Sequence, residues 1–346
     1  MSKSIKGRGT SEDLSPRFNS SHINYHKDEE TGQVPSPDTQ FINDHPASII
    51  TKNNSPDIPF KYSLNPYRGC EHGCAYCYAR PTHEYLGYSP GLEFESKIVV
   101  KKNAPDLLKK ELSSSGWNYE VIAISGVTDC YQPAEKKLQI TRQCLGVLAD
   151  FNNPAAIITK NYLVTRDIDH LSRLAKSAGC RILLSITTLD KKLASSMEPR
   201  TSRPGRRLEA IEKLSEAGIP TGVMVAPVIP GLTDHEIPAI LEAARNHGAE
   251  FAGYVPLRLP HGVKDLFIDW LENNLPDKAQ KVVNRIKSMR KGKLNSTSFG
   301  DRMKGSGPYA QQIKQLFNLH VKRLGMDQSK RSALKSRGGL QKDLFL

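Results

Sequence analysis

Apolar runs and amphipathic segments alternate along the middle of this 346-residue chain. A strand that is buried on both faces reads as a continuous apolar run, as the strands of parallel sheets do. Five such runs predict strands, and a shorter segment at 60–64 predicts a further strand ahead of them. The five runs are residues 121–125, 155–159, 181–186, 221–226 and 253–257.

Segments with an apolar residue at every third or fourth position separate these runs and predict amphipathic helices. They are residues 105–114, 141–151, 169–178, 208–217 and 235–246. Strands that alternate with helices predict βα units around a parallel sheet. Six units make an α/β fold of the partial (βα)6 TIM-like barrel type, because a closed barrel needs eight. Reactive side chains are then expected at the carboxyl ends of the strands.

The regular alternation covers residues 58–275, which form the predicted core, and leaves three further segments. Residues 1–57 are rich in Ser, Asn, Asp, Pro and Lys and lack sustained periodicity, so we predict that they are mostly disordered, with a short docked segment near Ala47–Thr51. Residues 276–324 predict a basic helical C-terminal extension. Residues 325–346 predict a flexible tail that ends in a docking motif.

The composition places the chain among water-soluble proteins. Hydrophobic residues make up 38% of it, and the mean hydropathy is −0.48. No apolar run is long enough to cross a membrane, and the N-terminal residues lack the apolar core of a secretory signal. Six cysteines without such a signal indicate the reducing environment of the cytoplasm.

Positive charge is concentrated at the C-terminal end. Residues 278–346 contain 17 Lys and Arg against three Asp, a net charge of +14, whereas the whole chain carries +13. The first 277 residues are therefore close to neutral. A solvated basic tail is one interpretation, and a polyanion partner, above all nucleic acid, is the other.

Half of the cysteines lie in one short stretch with the spacing C-x3-C-x2-C, at Cys70, Cys74 and Cys77. Thiolates this close together indicate an iron–sulfur or zinc site rather than disulfides. A structural zinc site needs a fourth ligand, which His72 or His83 could supply. On a 4Fe–4S cluster, three thiolates leave one iron open to a small molecule. We interpret the other cysteines as small buried apolar residues: Cys130, Cys144 and Cys180.

The pattern C-x3-C-x-aromatic-C, with Tyr76 as the aromatic residue, resembles the radical S-adenosylmethionine (SAM) superfamily. The surrounding residues 65–80, from Asn-Pro-Tyr-Arg-Gly-Cys to Cys-Tyr-Ala-Arg, resemble the branch related to spore photoproduct lyase. The resemblance implies a partial barrel with a 4Fe–4S cluster and SAM as cofactors. It implies that the reduced cluster cleaves SAM to a 5′-deoxyadenosyl radical, which abstracts hydrogen from a substrate. Such an enzyme requires an electron donor such as flavodoxin or ferredoxin.

The resemblance also implies further site residues at strand ends. Tyr76 matches an aromatic position near the adenine of SAM. Ser185 and Thr187, after the fourth strand, match positions that reach its ribose or carboxylate, and Arg200 is placed to bind a carboxylate. After the second strand, three residues match the motif that holds the amino group of the methionine moiety: Ser125, Thr128 and Asp129. An ordinary turn and a surface ion pair are the structural alternatives.

One cysteine outside the motif is a candidate catalytic residue. Cys130 follows the second strand and could donate hydrogen, although a buried small side chain is the favoured interpretation. By local alignment, the hydrogen-returning cysteine of spore photoproduct lyase corresponds to Gly126 here. The tyrosines that assist that lyase also lack an obvious match, because the corresponding stretch reads Lys-Ile-Val-Val-Lys-Lys at 97–102. The photoproduct activity is therefore not transferred.

The predicted function is a radical SAM enzyme with lyase-like, DNA repair-like chemistry and nucleic acid as the candidate substrate. Two other classes stay open. One is a radical SAM enzyme that modifies RNA or a peptide. The other is a nucleic-acid-binding protein without catalysis, stabilised by zinc or by a cluster.

The last six residues, Gln-Lys-Asp-Leu-Phe-Leu, resemble the bacterial sliding-clamp-binding motif. The matching residues are Gln341, Asp343, Leu344 and Phe345, while Lys342 replaces the usual leucine. In that motif the glutamine and the Leu-Phe pair fill an apolar pocket on the clamp. A clamp partner would place the protein at replicating or repaired DNA. Docking of Leu344 and Phe345 onto the protein's own surface is the alternative.

Overall fold

The computed structural model describes residues 5, 7–11, 14–18 and 37–326, together with the backbone of 334–336 and 339–341. The strands are β1 (Gln40–Asn43), β2 (Ile50–Lys52), β3 (Tyr62–Leu64), β4 (Tyr67–Arg68), β5 (Lys97–Val100), β6 (Ile122–Ile124), β7 (Ala155–Thr159), β8 (Cys180–Ser185), β9 (Thr221–Val228), β10 (Phe251–Pro256), β11 (Leu334–Ser336) and β12 (Gly339–Gln341). The helices are α1 (Leu92–Ser96), α2 (Ala104–Leu112), α3 (Glu135–Leu138), α4 (Ile140–Asp150), α5 (Ile168–Lys176), α6 (Lys191–Met197), α7 (Pro204–Glu216), α8 (Ile237–Asn246), α9 (Val263–Asn274), α10 (Pro276–Ser288), α11 (Asp301–Lys304) and α12 (Gly307–Arg323).

Seven strands form the central sheet in the order β10-β9-β8-β7-β6-β3-β2. The strands from β10 to β3 run parallel, and β2 is antiparallel at the edge. Ser185 of β8 pairs in register with Met224 of β9. Within the described part of the chain, β10 pairs with β9 alone and β2 with β3 alone, so the sheet stays open. The predicted α/β fold with six parallel strands of the partial-barrel type is confirmed.

Both faces of the sheet are covered, which is why its strands are continuous apolar runs. All six residues of β8 are buried. Ile182 and Leu184 lie in the main core, on the face that α5 and α7 cover. Leu183, between them in the strand, packs on the opposite face with Met224 and Phe251. Alternate residues along the strand thus fill two apolar layers. Side chains that could take part in a reaction therefore lie at the strand ends.

The basic C-terminal extension is part of the folded core. α10 buries Val282 and Ile286, and α12 buries Ile313 and Phe317. The ring of Phe317 lies 4.6 Å from that of Tyr254 in β10, between ring centroids. Buried positions four residues apart occupy one face of each helix, so the lysines and arginines of α10 and α12 lie on the opposite, exposed faces, whereas Arg290 in the loop between them is buried.

An ion pair joins the two edges of the open sheet. Asp57 lies in the loop between β2 and β3, and Arg302 lies in α11, which contacts β10. Arg302 donates from Nε to Asp57 Oδ2 at 2.8 Å and from Nη2 to Oδ1 at 2.5 Å. Hydrogen bonding to Arg302 holds the pKa of Asp57 well below its usual range. The pair therefore holds the extension against the N-terminal part of the core.

Residues 37–57 belong to the segment predicted to be mostly disordered with a short docked part near 47–51, and they contain two short strands. β1 pairs in parallel with β5, and β4 completes a separate three-stranded sheet with them. β2 forms the edge of the central sheet. The local pattern of these short strands is weak, and they form because strands elsewhere in the chain supply their hydrogen-bond partners.

The predicted flexible tail contains an antiparallel hairpin, β11–β12, in which Ser336 pairs with Gly339. Gln341 ends β12, and the other clamp-motif residues, Asp343, Leu344 and Phe345, lie outside the described residues. None of the helices that the structure describes is long and apolar enough to span a membrane.

Candidate active site

The cysteine motif folds as a loop between β4 and α1. Two glycines in it, Gly69 and Gly73, have φ angles of +77° and +65°, which residues with a side chain rarely adopt. A Cβ atom on Gly73 would also lie only 2.6 Å from Glu95 Oε2. The loop is held to α1 because the N–H of Cys70 donates to the carbonyl of Phe94 at 2.8 Å. The glycines therefore let the backbone turn tightly around the cysteines.

The loop brings the three predicted ligand cysteines together. Cys70 and Cys74 are buried and Cys77 is partly exposed. The thiol of Cys70 interacts electrostatically with those of both Cys77 and Cys74. Burial raises the pKa of all three thiols, so thiolates at this place would need a cationic partner such as a bound metal. The donor set fits an iron–sulfur cluster with three protein ligands.

A site for a single zinc ion fits the geometry less well. Among the described residues, no three His, Cys, Asp or Glu side chains are grouped so that they could hold one metal ion. Both ring nitrogens of His72 are occupied, because Nδ1 lies 3.3 Å from Asp129 Oδ2 and Nε2 lies 3.1 Å from Asn161 Nδ2. His83 packs edge-on against Phe94, and both of its ring nitrogens are buried without a hydrogen-bond partner in the described part of the chain, so it is the missing three-residue grouping that disfavours zinc. Each thiolate of a 4Fe–4S cluster binds its own iron, so a cluster does not require such convergence.

A buried ion pair that the sequence analysis missed anchors the cysteine loop. Arg80 and Glu95 are fully buried, and Arg80 Nη2 lies 2.5 Å from Glu95 Oε1. Arg80 donates from Nε and Nη2 to the carbonyl of Cys74, at 3.1 and 3.0 Å. Its Nη1 donates to the carbonyls of Pro90 and Gly91. The guanidinium therefore fixes the backbone of one cysteine relative to α1. The place of Arg80 directly after the motif was the only local signal for this role.

The loop after β6 braces the cysteine loop. Thr128 Oγ1 donates to the carbonyl of Gly69 at 2.6 Å, and Gln132 Nε2 donates to the same carbonyl at 3.2 Å. Ser125 has a φ of 104°, and its hydroxyl donates to the carbonyl of Ile158 in β7 at 3.0 Å. The structure thus places Ser125 and Thr128 at the predicted strand end. It adds Gln132, which the sequence analysis did not single out.

Asp129 links this loop to the end of β7. Its Oδ1 accepts from Thr159 Oγ1 at 2.7 Å, and its Oδ2 accepts from the N–H of Lys160 at 2.8 Å. Burial raises the pKa of Asp129, but the neighbouring His72 and the hydrogen bonds outweigh it, so the pKa lies below its ordinary value. An ionised Asp129 therefore lies beside the cysteine loop. Its contact with the methionine amino group stays a prediction.

Polar side chains from the cysteine loop and three other segments meet near the ends of β7, β8 and β9. Tyr76 Oη donates to Glu198 Oε1 and lies 3.1 Å from Thr187 Oγ1. Lys160 Nζ donates to the carbonyl of Ala226 at 2.8 Å and lies 3.6 Å from Glu198 Oε1. The structure therefore brings the predicted Tyr76 and Thr187 together with two residues that were not predicted. Lys160 directly follows β7, so the strand-end rule would have found it.

Glu198 is fully buried and ion-paired with Arg207 Nη2. Arg207 also donates from Nη1 to the carbonyl of Ser185 at 2.9 Å and from Nη2 to Thr201 Oγ1 at 2.6 Å. Burial raises the pKa of Glu198, but Arg207 and Lys160 more than compensate and hold it at about 2. Ser185, predicted to reach the cofactor, contributes its backbone carbonyl to this buried network.

We expect Glu198→Gln to flatten the acid side of the stability profile. The folded pKa of Glu198 is about 2 and the ordinary value is 4.5, so the ionised group stabilises the fold fully above pH 4.5. That contribution is lost as the pH falls from 4.5 toward 2, because the unfolded chain takes up the proton first. Urea unfolding measured through this interval should show a steeper loss in the unsubstituted protein. Equal slopes would contradict the assignment.

Arg200 contacts the protein itself. Its Nε donates to the carbonyl of Gly7 at 2.9 Å, and its Nη1 lies 3.6 Å from Glu71 Oε1. Its backbone N–H donates to the carbonyl of His72 at 3.3 Å. In this structure Arg200 therefore ties the cysteine loop to the N-terminal residues, as the ion-pair alternative implied. Binding of a cofactor carboxylate by Arg200 stays a prediction.

Cys130 is fully buried in the main core. Its N–H donates to Ser125 Oγ at 3.3 Å, and its carbonyl accepts from Thr141 Oγ1 at 2.7 Å. Burial raises the pKa of its thiol well above the ordinary value. A neutral thiol without exposed surface fits a packed small side chain better than a hydrogen donor.

Replacing Cys130 by Ala should therefore lower stability without stopping chemistry. We expect the free energy of unfolding to fall by about 1 kcal/mol, as for the loss of one small buried group. Formation of 5′-deoxyadenosine and of product should be unchanged in an anaerobic assay. Loss of product while 5′-deoxyadenosine still forms would instead assign Cys130 to the hydrogen transfer.

Known proteins resemble the chain over this whole region. The Radical SAM superfamily model matches residues 64–244, which contain the cysteine loop and the strand ends from β6 to β9. An uncharacterised protein of Mycobacterium tuberculosis is 34% identical over 254 residues, covering 72% of this chain and 74% of that protein. An uncharacterised protein of Methanocaldococcus jannaschii is 31% identical over 225 residues, covering 65% and 80%.

Spore photoproduct lyase is a more distant relative. The Bacillus subtilis enzyme is 26% identical over 175 residues, covering 49% of this chain and 46% of that protein. The solved structure of spore photoproduct lyase complexed with dinucleoside spore photoproduct has a TM-score of 0.57 at 15% identity, covering 82% of this chain and 79% of that one. That likeness shows a shared fold. With the family model matched over more than half of its length, the chain belongs to the radical SAM superfamily.

Proposed function

We propose that the protein is a radical SAM enzyme that holds a 4Fe–4S cluster on Cys70, Cys74 and Cys77. The observation that carries this proposal is the set of three neighbouring thiols on one glycine-bearing loop, in a chain of this superfamily. When bound and reduced, the cluster supplies the electron that cleaves SAM to methionine and a 5′-deoxyadenosyl radical, which abstracts hydrogen from the substrate. An external donor such as flavodoxin or ferredoxin would provide that electron.

The residues near the ends of β7 and β8 would bind and orient SAM. The positive charge of Lys160 opposes the larger effect of burial on the pKa of the Cys74 and Cys77 thiols. This ammonium group therefore lies close to the cysteine loop. A cation at this place suits the carboxylate of the methionine moiety. Tyr76 is held by Glu198 and Thr187, and a ring fixed in this way suits packing against the adenine.

The loop after β6 argues for a reaction other than photoproduct repair. Gly126 stands where the resemblance places the hydrogen-returning cysteine, and its φ of +142° disfavours any side chain. Its carbonyl accepts from Tyr78 Oη at 2.8 Å. Cys130, whose thiol also follows the end of β6, is fully buried. We therefore propose radical abstraction of hydrogen without the cysteine that returns it in that lyase.

Nucleic acid is the substrate class that the surface favours. Tyr78 is 49% exposed and Phe299 is 64% exposed, and each ring has a guanidinium above it. Arg258 lies 5.4 Å from the ring of Tyr78, and Arg302 lies 4.7 Å from the ring of Phe299. Bases stack on aromatic and guanidinium planes. Tyr78 directly follows Cys77, so one such pair lies beside the proposed cluster site.

Anaerobic reconstitution with iron and sulfide tests the function. We expect a brown protein with broad visible absorbance that forms 5′-deoxyadenosine from SAM after reduction, and faster when DNA is present. RNA and a peptide mixture serve as parallel arms, because both are alternative substrates. Faster turnover with RNA or peptide alone would redirect the substrate proposal. A colourless protein that retains zinc would overturn the enzyme proposal.

Charge reversal on α10 tests nucleic-acid binding without disturbing the core. Lys278, Lys281 and Lys287 are exposed, and their replacement by Glu should weaken binding of single-stranded DNA. Each lost phosphate contact should lower the salt slope of log K by about 0.7. The control replaces the exposed Lys109 and Lys110 of α2 by Glu, and the change in salt slope is compared per reversed charge. Equal changes in fluorescence anisotropy for α10 and control variants would show that the charge of α10 is only solvated.

A further inference from the structure

Residues 7–11, named here the strap, pass directly over the cysteine loop. Gly9 is in such close contact with it that a Cβ atom on Gly9 would lie 1.4 Å from the carbonyl oxygen of Gly73. The same atom would lie 3.2 Å from the backbone nitrogen of Ala75. Gly73 and Ala75 flank Cys74 on both sides. The strap therefore packs against the backbone of a proposed ligand, at a place where only glycine fits.

Polar contacts fix the strap in this position. The N–H of Gly9 donates to Glu95 Oε2 at 3.1 Å, and Arg8 Nη1 donates to the backbone carbonyl of Glu95 at 2.8 Å. Arg8 is itself buried. At the far end, Ser11 Oγ donates to Asp269 Oδ2 in α9 at 3.0 Å. The strap is thus bound at both ends and at its centre.

Glu95 connects the strap to the ligand loop. One of its carboxylate oxygens accepts from Gly9 and the other pairs with Arg80, whose guanidinium donates twice to the carbonyl of Cys74. Arg80 and Glu95 are fully buried. A charged pair without water is strong only while all of its hydrogen-bonding partners are in place. Removal of the strap would leave one carboxylate oxygen without its donor and admit water beside Cys74.

We propose that the strap is a positioning element for the cluster. Gly9 and Arg8 keep the Arg80–Glu95 pair dry, and the pair keeps the backbone of Cys74 where the cluster requires it. The proposal rests on the proposed function for the presence of a cluster, while the packing of the strap is a property of the protein alone. The composition of the N-terminal residues predicts disorder, yet these residues would then govern how long the cluster survives.

The test compares Gly9→Ala with Gly205→Ala. A Cβ atom on Gly205 meets nothing within 4 Å, so this variant is a matched control. In protein without iron, trypsin should cleave after Arg8 faster in the Gly9 variant, because the displaced strap exposes Arg8. After anaerobic reconstitution, the visible absorbance of that variant should bleach in air roughly ten times faster, the factor for one lost hydrogen bond to a charged group.

Arg8→Ala gives a second variant without a steric clash and should bleach faster as well. Far-UV circular dichroism shows whether each variant is folded. If folded Gly9 and Arg8 variants bleach at the rate of the unsubstituted protein, the strap does not position the cluster. If trypsin cleaves after Arg8 equally fast in the unsubstituted protein, the strap is not packed and the inference fails whether or not a cluster forms. Failure of the unsubstituted protein to take up a cluster, with Arg8 protected, would overturn the proposed function instead.

Discussion

Replacement of any one of Cys70, Cys74 and Cys77 by Ala is expected to abolish the iron–sulfur absorbance and the formation of 5′-deoxyadenosine. Three thiolates are the minimum that holds the proposed cluster while one iron stays open to SAM, and two thiolates leave a second iron exposed to solvent. No other thiol can take over, because the remaining cysteines are fully buried in the main core. Iron and sulfide analysis after anaerobic reconstitution measures the loss directly.

The matched controls are Cys144→Ala and Cys180→Ala. Both thiols lie at 0% exposure in the main core, so these variants lose packing but no ligand. They should retain the full iron content and the absorbance of the unsubstituted protein. Loss of the cluster in the Cys144 variant would mean a fourth permanent thiolate and would exclude the open iron. Full iron content in all three motif variants would remove the cysteine loop from the site.

The second large effect is expected on stability, because Arg207→Met should lower the free energy of unfolding. Glu198 is fully buried, and Arg207 is its strongest partner, with the more distant Lys160 at 3.6 Å. Removal of one member of a buried ion pair leaves the other charge uncompensated and costs about 3–5 kcal/mol. Denaturant unfolding should show this loss. The double variant Glu198→Gln, Arg207→Met should recover part of it, because no buried charge is then left unpaired.

Arg206→Met is the neighbouring control. Arg206 pairs with Glu209 on the exposed surface of α7, with half of its side chain accessible to solvent. An exposed pair of this kind contributes about 0–1 kcal/mol. A loss for Arg207→Met no larger than that for Arg206→Met would show that Glu198 does not depend on its partner. The network that holds Tyr76 would then need another explanation.

Much of the fold follows from short-range pattern. The predicted strand at 155–159 coincides with β7, and the helix predicted at 141–151 differs from α4 by one residue at each end. In a buried strand or an amphipathic helix, the order of apolar and polar residues follows the buried and exposed positions of the element. Local periodicity therefore predicts such elements. The helix predicted to begin at 208 begins at Pro204, since proline suits the first turn of a helix and shifts the boundary.

The sequence alone also identified the cysteine motif, since the spacing of ligands on one loop is a local property. Only the tertiary structure decided what surrounds it. Glu95 binds Gly9 from 86 residues away, and Tyr76 meets Glu198 across 122 residues. Such contacts depend on which strand ends meet at one edge of the sheet, and no local pattern records them. The same holds for β1, whose partner β5 is supplied by a distant part of the chain. Spacing in sequence thus predicted the three cysteine ligands, and the meeting of distant segments at the strand ends placed the buried charges around them.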